Sequence, residues 1–139
     1  MKRRVFVCGA MAAVAVPAWA TPGEVATAIA AATKGVAPKE GLVKLELAQM
    51  VENGNAVGVV VHADAPQGGR VASLHLFAEG NPLPNVISAW FGPASFSARI
   101  STRIRLATSQ TVVAVAVMED GSCWSDSVTV MVTLAACLE

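Results

Sequence analysis

Apolar residues recur at every second position through most of the chain, a period that predicts strands. Leu45 and Leu47 fall on one side, Lys44 and Glu46 on the other, and Val57, Val59 and Val61 alternate with Gly58, Val60 and His62. Val71–Ala78 and Val86–Phe91 read as two more strands. From Ser97 to Leu106, Ile100, Thr102, Ile104 and Leu106 share a face opposite Ser101, Arg103 and Arg105. Thr111–Met118 is apolar almost throughout, which suits a strand in the middle of a sheet. In Trp124–Leu134, the residues Val128, Val130, Val132 and Leu134 share a face. Turn formers separate these segments: Asn53-Gly54, Gln67-Gly68-Gly69, Asn81-Pro82-Leu83-Pro84-Asn85, Gly92-Pro93 and Asp120-Gly121. Only Thr21–Thr33 departs from period two. Thr21 is placed to cap a helix, Pro22 to open it and Gly35 to end it, while Val25 and Ile29 share a face that can dock on a sheet. Roughly seven or eight short strands predict an all-β fold, an immunoglobulin-like antiparallel β-sandwich with a short N-terminal helix. The Cys…Trp…Cys pattern of antibody domains is absent, so no pinning disulfide is expected.

The first twenty residues belong to a different kind of polypeptide. Lys2-Arg3-Arg4 is a basic start, Val5–Val16 is apolar or small, and Ala18-Trp19-Ala20 fits a signal peptidase that cuts after Ala20. Arg3-Arg4-Val5-Phe6-Val7 resembles the twin-arginine export motif, against an ordinary secretory leader as the alternative. Residues 1–20 therefore read as a signal peptide, 21–134 as the sandwich and 135–139 as a C-terminal arm, and the expected location is the periplasm.

This division changes the meaning of the charge. Ten basic and ten acidic residues give a formal net charge of zero. Without the leader's three basic residues, seven remain against ten acidic, a net of −3. A nucleic-acid binder would carry a basic excess, so no such partner is expected. The 54% hydrophobic and 14% charged content excludes a disordered chain. No apolar run reaches the roughly 18 residues that suggest a membrane span.

Candidate chemistry is sparse. His62 and His75 fall in predicted strands with no Cys, Asp or Glu beside them at ligand spacing, and both read as structural or surface residues. A blue-copper site would need histidine after the late cysteines, and none follows Cys123 or Cys137. No heme attachment, nucleophile-elbow or zincin motif occurs, so no metal or cofactor is expected. Asp64, Glu79, Glu119 and Asp126 read as solvated charges near turns. Cys123 follows a turn and reads as a small packed residue. A bridge from Cys123 to Cys137 would have to close over the length of an extended strand. Cys137, in Ala135-Ala136-Cys137-Leu138-Glu139, reads either as an idle end or as a thiol placed where another protein can reach it.

Several blocks in sequence order resemble the SoxY family, the sulfur carriers of the bacterial thiosulfate-oxidising (Sox) system. They are Val51-Glu52-Asn53-Gly54-Asn55, His75-Leu76-Phe77-Ala78-Glu79 with Asn81-Pro82-Leu83-Pro84-Asn85, Ser101-Thr102-Arg103-Ile104-Arg105-Leu106, Gln110–Ala116, and Asp120-Gly121 through Trp124-Ser125-Asp126-Ser127. The resemblance implies an exported immunoglobulin-like domain that pairs with a small sandwich subunit, SoxZ. It also implies a cysteine arm that carries sulfur covalently between partner enzymes, a role that falls on Cys137. Family arms are glycine-flanked, whereas here Ala135, Ala136, Leu138 and Glu139 flank the cysteine, as in a SoxY-related subgroup with an AACIE arm. Glycine gives the backbone its greatest freedom, so alanine predicts a stiffer arm. Glu139 and the terminal carboxylate disfavour a thiolate at Cys137, which points to a carrier activated by its partners rather than an enzyme. The competing reading is a sandwich that uses Cys137 as a disulfide tether and carries no sulfur.

Overall fold

The computed structural model describes residues 22–136. The leader, the Thr21 cap, and Cys137, Leu138 and Glu139 lie outside the described residues. Among them run one helix, α1 (Pro22–Thr33), and nine strands: β1 (Lys39–Glu40), β2 (Val43–Leu47), β3 (Met50–Asn53), β4 (Val57–Ala63), β5 (Val71–Ala78), β6 (Asn85–Trp90), β7 (Ala98–Ile104), β8 (Gln110–Met118) and β9 (Cys123–Leu134). One sheet has the order β1-β9-β8-β5-β6, with β3 also on β9; the other has the order β2-β4-β7.

The two sheets face each other across one core. Val57, Val59 and Val61 of β4 meet Leu74, Leu76 and Ala78 of β5 and Val112, Ala114 and Ala116 of β8, all buried. The alternation that predicted the strands is thus the alternation of core and solvent. β5 and β8 are apolar on both faces for a visible reason. Their outer face carries Phe77 and Val115, and α1 lays Val25, Ala28 and Ile29 over them. The helix ends where Lys34 (φ 54°) and Gly35 (φ 83°) both enter the left-handed region. The Gly35 N–H then donates to Ala30 O at 2.9 Å.

Four expectations change. The sandwich is not wholly antiparallel, because β1 and β3 both run parallel to β9, through Lys39↔Trp124 and Met50↔Met131. Between them the chain leaves the sheet for β2 and returns. Gly41 (φ 117°) and Leu42 (φ 57°) make the first crossing, with Gly41 against the Trp124 ring. Strands this short, nine rather than seven or eight in all, show no period. Leu134 does not share the buried face of β9 and is 60% exposed, because β9 has by then run past the end of β8. Asp126 is not a solvated charge near a turn. It lies within β9, half-buried, and its carboxylate accepts the Leu45 N–H at 2.9 Å, tying one sheet to the other.

Candidate functional site

The chain leaves the sandwich at the end of β9, and two segments grip it there, β3 with the Gly54 that follows it and the loop that carries Leu106 and Ser109. β3 holds one side through Val51↔Val132 and Asn53↔Leu134. On the other side Ser109 Oγ accepts the Val132 N–H at 2.8 Å. Beyond the strand, three backbone hydrogen bonds form a closed circuit. The Gly54 N–H donates to Leu134 O at 2.8 Å, the Leu106 N–H to Gly54 O at 2.8 Å, and the Ala136 N–H to Leu106 O at 3.0 Å. Leu134 and Ala136 are therefore both held to the body, with Ala135 exposed between them.

Gly54 makes this circuit possible by its size. A Cβ there would stand 2.5 Å from Leu106 O and 3.0 Å from Ala136 N. Asn53-Gly54 does end in a turn, but its glycine is a close-approach residue and its φ is not positive. The strand after it joins the opposite sheet, so the pair makes no hairpin.

A buried amide pair holds the Leu106 loop from beneath. Asn81, 7% exposed, donates through Nδ2 to Arg105 O at 2.8 Å and accepts the Ala107 N–H at 2.9 Å. Gln110 Nε2 donates to Asn81 Oδ1 at 3.1 Å and to Thr108 O at 3.0 Å, and Gln110 Oε1 accepts the Gly80 N–H at 2.7 Å. Every polar atom of the two side chains is satisfied, which is what makes their burial affordable. Sequence reasoning missed both residues. Asn81 read as a loop former beside two prolines and Gln110 as the start of an apolar block. The available signal was a Gln heading an otherwise apolar strand.

The other candidate side chains lie elsewhere. His75 sits in mid-β5 on the outer face, 6% exposed, its Nδ1 2.8 Å from Ser88 Oγ and its Nε2 3.0 Å from Ser73 Oγ. Trp90 stands edge-on to it at 5.9 Å. Burial pushes the His75 pKa below its ordinary 6.5. His62 lies in register between Arg99 of β7 and Lys44 of β2, near the end of β4 away from Gly54. Among the described residues no three His, Cys, Asp or Glu side chains gather into a set able to hold a metal.

Cys123 is 2% exposed at the opposite end of β9, with Sγ 3.6 Å from Gly121 O and 4.0 Å from Thr33 O. Burial first, and the nearby Asp120 carboxylate second, push its thiol pKa up. A thiol kept protonated in this way is a poor nucleophile.

The segments that converge on the end of β9 are those of the sequence blocks noted above, from Val51–Asn55 to Gln110–Ala116. The family model described as sulfur oxidation protein SoxY matches residues 28–137. The chain belongs to the SoxY family. It is a sulfur carrier of sulfur oxidation, not an enzyme. Among solved structures it is similar to the sulfur carrier protein SoxY from Chlorobium limicola f thiosulfatophilum. The two share 25% identity at a TM-score of 0.67, over 81% of this chain and 98% of that one. Superoxide reductases (neelaredoxins) resemble this SoxY-family chain in fold alone. That from Ignicoccus hospitalis has 17% identity and a TM-score of 0.55, over 81% of this chain and 94% of its own. No curated protein matches the sequence. No helix among the described residues is long and apolar enough to cross a membrane.

Proposed function

We propose that this protein is exported, loses its leader after Ala20, and holds a sulfur species covalently on Cys137. The arm 135–139 presents that sulfur to periplasmic sulfur-oxidising enzymes, while a SoxZ-like small sandwich pairs with the body. The observation that carries the reading is that the family match runs through residue 137 while the sandwich leads the chain out of its end immediately before it. The buried state of Cys123 supports it, since that thiol is closed to both cargo and partner. An internal bridge has no support either. Cys123 and Leu134 lie at opposite ends of a 12-residue strand. That strand is roughly 36 Å long at about 3.3 Å per residue. Three further residues span about 10 Å, and a disulfide needs Cα atoms within about 7 Å. The basic start, the apolar run and Ala18-Trp19-Ala20 support export.

Intact mass of protein purified without reductant tests the proposal. Adducts of one or more sulfur atoms are expected on a chain that begins at Thr21, and they disappear in Cys137→Ser. A mixed disulfide to a second protein, with no sulfur adduct in any preparation, would instead make Cys137 a tether and defeat the carrier reading.

A further inference from the structure

We infer that Ala136 is an anchor of the arm, and that Gly54, Asn81 and Gln110 are positioning residues that fix where the Cys137 thiol emerges. The inference deepens the carrier reading and rests on it. A swinging arm would pivot where the strand ends, at Leu134. Here the chain stays hydrogen-bonded for two residues more, through Ala136 N–H to Leu106 O. The acceptor is not a loop carbonyl that drifts. Leu106 is fully buried, and the carbonyls and N–H groups on both sides of it, at Arg105, Ala107 and Thr108, are held by the Asn81 and Gln110 amides. Gly54 fills the remaining corner with no room for a methyl group. Ala135 and Ala136 suit such an anchor, because alanine gives up less backbone entropy than glycine when it is ordered.

The consequence concerns reach. Beyond Ala136 the thiol has one Cα–Cα step of about 3.8 Å and the length of a cysteine side chain. A partner enzyme must therefore bring its reactive centre almost against the end of the sandwich. The class of enzyme served is one with a shallow site that accepts the body, not one with a deep channel threaded by a long arm.

Amide hydrogen exchange followed by NMR on the whole purified protein tests this. The Ala136 amide should exchange at least about tenfold more slowly than in an unstructured peptide. In Gln110→Ala and Asn81→Ala it should approach the unstructured rate while the Val115 amide in β8 keeps its protection. Val25→Ala, a change beneath the helix, should leave the Ala136 amide as in the parent protein. Ala136 exchanging at the unstructured rate in the parent protein overturns the anchor. So does a Gln110→Ala effect of equal size at Ala136 and Val115, since that is general loosening. If Asn81→Ala does not fold, Gln110→Ala and the parent protein decide the matter. Intact mass of the same sample separates the two ideas. A sulfur adduct with an unprotected Ala136 keeps the carrier and overturns the anchor. Protection with a mixed disulfide to a second protein and no sulfur adduct upholds the anchor and defeats the carrier.

Discussion

A histidine between two serine hydroxyls on a covered sheet face makes a measurable demand on stability. Burial holds the His75 pKa below 6.5. Above pH 6.5 both the folded and the unfolded chain keep this ring neutral, and its titration contributes nothing. As pH falls below 6.5 the unfolded chain takes up a proton that the folded chain resists, so stability falls until the folded pKa is reached. The slope for one such group cannot exceed about 1.4 kcal/mol per pH unit. Urea unfolding between pH 7.5 and 5.5 should therefore show a steeper loss for the parent protein than for His75→Gln. Equal slopes would show that burial does not perturb this ring. At this scale the sequence was legible in part. His75 read as structural or surface and is buried, and Cys123 read correctly as packed. The turn at Asn53-Gly54 was read correctly but the close approach of Gly54 was not, since a turn signal and a close approach select the same residue. Asp126 was misplaced because a carboxylate that bridges two sheets looks, in sequence, like any polar residue on a strand.

Elements were legible where periodicity had room to act. β5 spans Val71–Ala78 and α1 ends at Thr33, both as the pattern predicts. β8, apolar on two faces, lies between β9 and β5 as expected. The two-residue β1 and four-residue β3 were not legible, because strands that short carry no alternation and owe their existence to the exposed edge of β9. The docking of α1 can be tested separately from the core. Val25 is 3% exposed against Phe77 and Val115, and the same helix brings Thr33 over Cys123. Val25→Asp puts an unpaired charge in that seam, at a cost of several kcal/mol if the helix stays docked. Because the sandwich core between the sheets does not include α1, the helix should lift while the sheets persist. Alkylation mapped on tryptic peptides should then find Cys123 modified without denaturant, which it is not in the parent protein. The β-sheet circular dichroism should remain. Cys123 still protected in a folded Val25→Asp protein would show that the helix is not what covers it.

At the scale of the whole molecule, charge decides how the carrier meets its cargo. Removal of the proposed leader turns a formal net charge of zero into −3, and Glu139 stands two residues from the cysteine proposed to hold sulfur. Oxidised sulfur species are anions, so a chain of net −3 with Glu139 beside the proposed attachment site would repel such a cargo. A carrier built this way loads poorly in free solution and well inside a partner whose positive groups cancel the repulsion. The proposed anchor at Ala136 would have the same bias, since it would keep the arm short and dependent on a docked enzyme. The expected result is a selective slowness. With a free cysteine peptide as reference, Cys137 should react disproportionately slowly with a dianionic aromatic disulfide and normally with neutral iodoacetamide. Salt should close the gap, because the screening length falls from about 30 Å at 0.01 M to about 10 Å at 0.1 M. Glu139→Gln should close part of it at low salt. If Cys137 at low salt meets the dianion as readily as the neutral reagent, relative to the peptide, repulsion is not what reserves loading for the partner. Loading in solution would then be open to the protein alone.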